Sequence, residues 1–107
     1  MFGHTPMPSL TVSELADVLA NDPTTVLVDV REPDEYAGGH VESAVHIPMA
    51  VVPVRLEEIP RDRTVYVICH SGGRSGQVVS WLNQQGFDSV NVEGGTAAWS
   101  MSGRPVV

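Results

Sequence analysis

The sequence predicts an α/β fold: a parallel sheet covered by helices on both faces. Short runs of β-branched and apolar residues recur at positions 26–30, 44–47, 65–68 and 89–92. Segments with helical spacing or turn chemistry lie between them, so strands and helices alternate along the chain. The runs are short and apolar on both faces, which is the pattern of strands buried between two helical layers.

The first helix is signalled by Thr11 and Glu14, a capping box, followed by Leu15, Val18 and Leu19 at helical spacing. Asn21, Asp22 and Pro23 end it. The strand at 26–30 leads into polar residues 31–39, where Pro33 suits a first helical turn and Gly38 and Gly39 a stop. Pro48 closes the strand at 44–47. Residues 49–59 are expected to form a short helix interrupted by Pro53, before a turn through residues 60–63. The strand at 65–68 carries Cys69 at its carboxyl end. Residues 75–85 place Val78, Trp81 and Leu82 on one helical face, with Gly86 suited to the C-terminus. After the strand at 89–92, Gly94 and Gly95 precede a short helix around Ala97, Ala98 and Trp99. Residues 1–8 are expected to be a flexible lead-in, 9–103 a single domain, and 104–107 a frayed tail.

A chain of 107 residues fits one domain, and 42% hydrophobic with 18% charged residues is ordinary globular composition. The formal charge of −7 disfavours nucleic acid or an anionic membrane as partner. No apolar run approaches the roughly 20 residues that span a bilayer. The first ten residues carry no basic patch and no apolar stretch, so a cytoplasmic location is expected. The single cysteine, Cys69, excludes an intramolecular disulfide and any metal site built on several thiolates.

The chemistry points to Cys69, His70, Ser71, Gly72, Gly73, Arg74 and Ser75, between a buried strand and an apolar-faced helix. Two glycines let the backbone turn tightly and aim successive N–H groups into one concavity. A helix starting near Ser75 adds its unpaired N–H groups and positive dipole end, and Arg74 adds a fixed charge. Together these favour a Cys69 thiolate and an anion bound to it or formed on it. The plainer alternative is an inert buried cysteine, which the glycine-rich turn and arginine argue against.

Residues 69–75 resemble the active loop of the rhodanese family, Cys-Arg-Ser-Gly-x-Arg-Ser. Asp29, Val30, Arg31 and Glu32 are similar to that family's first signature, after its second strand. The stretch from Glu35 and Tyr36 through Gly39, His40 and Ala44 to Ile47 and Pro48 resembles its Gly-His element. Val92, Glu93, Gly94, Gly95 and Trp99 resemble its closing Gly-Gly…Trp motif. The blocks occur in family order over nearly the whole chain.

The resemblance implies a three-layer fold with a five-stranded parallel sheet flanked by helices, including a short first strand near Ser9 and Leu10. It implies a sulfurtransferase: Cys69 takes sulfane sulfur from a small anionic donor such as thiosulfate, holds it as a persulfide, and passes it to cyanide or a thiol. No metal or organic cofactor is implied. A persulfide carrier or redox-sensing module serving a protein partner shares this chemistry and stays open. A phosphatase or arsenate reductase also uses a Cys-to-Arg anion loop, but the phosphatase loop is longer than the four residues between Cys69 and Arg74. His70 stands where many family members have Arg, replacing a fixed charge with one that depends on pH; weaker capture of anionic donors at high pH is expected. Ser43 replaces the usual Gly before Ala44.

Asp29 and Arg31 follow a strand end and could support the site, although a structural ion pair is the simpler role. His40 and His46 read as structural, the histidines (His4 included) show no metal-ligand spacing, and Trp81 and Trp99 read as packing residues. Glu57, Glu58 and Asp62 read as solvated surface. Ser71 could donate to bound sulfur, whereas Ser75 reads as a helix N-cap.

Overall fold

The capping box of Thr11 starts the first helix as its sequence predicts. In the computed structural model, which describes residues 7–107, α1 (Val12–Asn21) opens with the Glu14 N–H donating to the Thr11 hydroxyl at 3.1 Å. The Thr11 N–H donates in return to the Glu14 carboxylate at 2.8 Å. His4 lies outside the described residues.

Five strands, β1 (Ser9–Leu10), β2 (Val26–Asp29), β3 (Val45–His46), β4 (Val65–Ile68) and β5 (Ser89–Val92), form one parallel sheet in the order β1-β5-β4-β2-β3. β1 is the strand that resemblance implies and local pattern does not. Pairing reaches into the expected N-terminal lead-in, where the Pro8 carbonyl accepts from the Asn91 N–H at 2.9 Å. The C-terminal residues are also tied down: His40 and Val107 exchange main-chain hydrogen bonds at 3.1 and 2.9 Å, and Trp99 Nε1 donates to the Pro105 carbonyl.

Alternation along each strand divides the core into two layers. Val28, Val65 and Val67 pack with Val78, Val79 and Leu82 of α3 (Gly73–Gln84) on one face. Leu27, Ile68 and Val92 pack on the other, with Leu15 of α1 and Trp99 of α4 (Gly95–Met101). Tyr36 of α2 (Pro33–Ala37) packs against that second layer.

Two expected boundaries move. Residues 49–59 form two 3₁₀ segments, Met49–Val54 and Leu56–Glu58, instead of one interrupted helix. Pro53 removes an N–H and crowds the preceding turn, and valines at 51, 52 and 54 disfavour regular helix. The helix after Cys69 starts at Gly73, two residues before the expected Ser75. Gly72, at φ +108°, makes the turn into it, a conformation open to glycine at little cost.

Candidate active site

Period-two alternation aims the cysteine. Val65 and Val67 face α3, and Cys69 continues that series past the end of β4. Its thiol therefore points at the head of α3. Cys69 is 1% exposed. The Gly72 N–H donates to Cys69 Sγ at 3.1 Å, and the Ser75 hydroxyl lies 3.2 Å from the same sulfur. Burial pushes the thiol pKa up. The Ser75 hydroxyl, with the main-chain N–H groups of Ser75, Gly72 and Ser71, outweighs that and leaves it below the ordinary value.

The loop is latched from behind by the first turn of α4. The Thr96 N–H and hydroxyl both donate to the Cys69 carbonyl, at 2.9 and 3.1 Å, and the Ala97 N–H donates to the His70 carbonyl at 2.9 Å. A Cβ at Gly95 would stand 2.5 Å from both carbonyl oxygens. Glycine at 95 is thus required by the close approach of two backbones.

The charged residues have a different arrangement. Arg74 forms a forked pair with Glu35 of α2, at 2.7 and 2.9 Å. This pairing holds the Glu35 carboxyl at about 2; a further hydrogen bond from the Glu32 N–H also lowers it. Arg74, expected to lend its charge to the loop, shares it with a carboxylate. Asp29 and Arg31 form a buried pair at 2.8 Å, and Arg31 also donates to the Gly39 carbonyl at 2.8 Å. Neither is hydrogen-bonded to the loop; they brace the chain after β2.

His70 and Ser71 are exposed, and Ser71 contributes a main-chain N–H toward the sulfur. Ser75, expected as an N-cap, is fully buried with its hydroxyl between Cys69 and Asn91; Gly72 holds the N-cap position. Gly73 is exposed, and a Cβ there would meet nothing within 4 Å. His40 and His46 stack on Tyr36, at centroid distances of 3.7 and 4.4 Å, as structural side chains. Trp99 is buried in the second layer; Trp81 lines an apolar cleft of about 230 Å³ with Met49 and Pro53. A recess of about 550 Å³ flanks the loop between His70, Glu35 and Met101. The described residues hold no group of three or more His, Cys, Asp or Glu able to bind a metal ion, and no helix among them is long and apolar enough to cross a membrane.

Sequence reasoning missed three residues here: Glu35, which clamps Arg74; Thr96, which latches the loop; and Asn91, which touches both Ser75 and Gly72. Asn91 alone had a readable signal. Period two puts it with Ser89 on one face of a strand otherwise made of valines, and a buried polar residue requires partners.

Comparison with known proteins gives one family. The model of the rhodanese-like domain matches residues 11–102. A protein of Allochromatium vinosum named a sulfurtransferase is 44% identical over 87% of this chain and 88% of its own. A Bacillus subtilis protein named as a candidate sulfur carrier is 34% identical over 88% of this chain and 51% of its own length. The crystal structure of a rhodanese-related protein from Thermoplasma volcanium superposes with a TM-score of 0.86, at 33% identity, covering 94% of this chain and 97% of that one.

Proposed function

The chain belongs to the rhodanese-like domain family, and we propose that it is a sulfurtransferase working through a persulfide on Cys69. Family membership and the relative named a sulfurtransferase support sulfur transfer in general. The observation that carries the finer reading is the cradle around one sulfur: a Gly72 N–H at 3.1 Å and a Ser75 hydroxyl at 3.2 Å, at the N-terminus of α3.

The Cys69 thiolate attacks the sulfane sulfur of a donor such as thiosulfate. A new S–S bond forms as the donor's S–S bond breaks, and sulfite leaves with the electron pair. The persulfide anion, with its charge on the outer sulfur, is held by the N–H groups of the loop. An acceptor nucleophile, cyanide or a thiol, then takes the outer sulfur and returns Cys69 to the thiolate, so that one transfer is split into two displacements. No step requires a metal or an organic cofactor. The reaction needs a reduced cysteine, which suits the cytoplasm.

A second reading, delivery of the persulfide to a protein partner, is favoured by one observation. Arg74 and Arg31 are both paired with carboxylates, and the chain carries a formal charge of −7, so little fixed positive charge is left to draw a small anion to the loop. The relative named as a candidate sulfur carrier points the same way. Thiocyanate formation from thiosulfate and cyanide, compared with Cys69→Ser, tests the first reading. Turnover lost in the variant supports it. No turnover, with sulfur appearing on Cys69 from a protein or low-molecular-weight persulfide, selects the carrier. Neither turnover nor a sulfur adduct from any donor contradicts both.

A further inference from the structure

The β4–β5 register sets Asn91 opposite Val67, on the face of the sheet that carries Cys69. Asn91 is buried, and its amide is fixed at both ends. Nδ2 donates to the Gly72 carbonyl at 3.2 Å, which turns Oδ1 toward the Ser75 hydroxyl at 2.5 Å. The Ser75 oxygen thus stands between two acceptors, Asn91 Oδ1 and Cys69 Sγ, the latter at 3.2 Å. A hydroxyl has one hydrogen, and an amide oxygen has none to give. Ser75 can therefore serve one of them at a time.

We propose that Asn91 is a positioning residue that sets the balance between the thiol and anionic forms of Cys69 by competing for the single hydrogen of Ser75. While Cys69 is a thiol, its S–H donates to the Ser75 oxygen and the Ser75 O–H donates to Asn91 Oδ1, so every group is satisfied. When the thiol proton leaves to water, the sulfur becomes a pure acceptor. The Ser75 O–H bond stays intact and rotates to the sulfur, and Asn91 Oδ1 loses its donor. The thiolate is therefore formed against the pull of Asn91. The resting thiol is kept from over-ionising.

Other charged and titratable groups near the loop are the Glu35–Arg74 pair from α2 and α3, the Asp29–Arg31 pair after β2, Glu32, and His70 in the loop itself. From β5 and α4 the loop meets the neutral Asn91 and Thr96, and Glu93 is turned to Ser9. The competition thus runs through a neutral relay, separate from these charges.

The inference rests on Cys69 as the reactive sulfur of the proposed function, but its test needs no sulfur donor, so failed turnover cannot be mistaken for its failure. The measurement is the pH midpoint of Cys69 alkylation by iodoacetamide in wild type, Asn91→Leu, Ser75→Ala and the double variant. Asn91→Leu is expected to lower the midpoint by about half a unit, roughly threefold more thiolate at a given pH below it. Ser75→Ala is expected to raise it, and the double variant to match Ser75→Ala. A midpoint unchanged or raised in Asn91→Leu, or the same shift persisting without Ser75, overturns the proposal. Should the Asn91 variants not fold, the side-chain amide resonances of Asn91 in the wild-type protein decide: they are expected to titrate with the Cys69 midpoint, and a flat profile overturns the proposal.

Discussion

Two clusters sit at the same end of the sheet and use opposite means. The cradle around Cys69 is built from neutral groups: the N–H of Gly72, the hydroxyl of Ser75, the amide of Asn91 and the latch from Thr96. The frame beside it is built from ion pairs, Asp29 with Arg31 and Glu35 with Arg74. For the buried Asp29–Arg31 pair the difference follows from what burial costs. A buried charge needs a partner, and once paired its field is largely cancelled, so an arginine used to hold two elements together has little left for a nearby anion. Dipoles need no counter-ion, and a sulfur that changes charge during turnover can be served by N–H groups that stay in place. Charge builds the frame and dipoles serve the sulfur.

The largest effect on stability is expected from breaking the frame at its most buried point. Asp29→Ala would leave Arg31, 4% exposed, without its carboxylate, and is expected to cost roughly 3–5 kcal/mol in denaturant unfolding. An effect under about 1 kcal/mol would mean that the pair does not hold the chain after β2. Ser75→Ala is the matching break in the cradle. It removes a donor to the sulfur, and kcat/KM for sulfur transfer should fall about tenfold or more while unfolding changes by about 1–2 kcal/mol. Equal loss of activity per folded molecule from Asp29→Ala and Ser75→Ala would erase the distinction between the two clusters.

The Glu35–Arg74 pair sharpens the comparison through pH. Folded Glu35 titrates at about 2, below its ordinary 4.5, so the folded state releases this proton more readily than the unfolded chain. Its contribution is therefore complete above about pH 4.5 and is lost as pH falls toward 2. The pair is partly exposed and screened, so Glu35→Gln should cost about 1–2 kcal/mol at neutral pH and almost nothing near pH 2. A variant as acid-sensitive as wild type across that window would show that the pair does not contribute. The smallest effect belongs to the exposed His70. His70→Arg should improve the apparent KM for thiosulfate at pH 8 by about two- to threefold, because arginine stays charged there. An unchanged KM would mean that the loop mouth does not select by charge.

How much of this the sequence shows depends on how far each feature reaches along the chain. The capping box of Thr11 and Glu14, the strand at Val65–Ile68 and the glycine turn after Cys69 are local, and each is legible from adjacent residues. β1 is two residues long, too short for any period to register, and only resemblance implies it. Glu35 and Arg74 lie 39 residues apart, and nothing in either neighbourhood specifies the other. The role of Ser75 depends on Asn91, which in turn depends on the β4–β5 register. A serine two residues past a glycine turn reads locally as a cap, and only the packed sheet makes it a donor to sulfur.

Intact-mass measurement of the protein after exposure to thiosulfate, followed by cyanide, tests the central claim most directly. Wild type should gain the mass of one sulfur atom, localise it to Cys69, and lose it to cyanide as thiocyanate, while Cys69→Ser gains nothing. A wild-type protein that takes up no sulfur from thiosulfate or any persulfide donor, or a Cys69→Ser variant that takes up as much, would contradict the account.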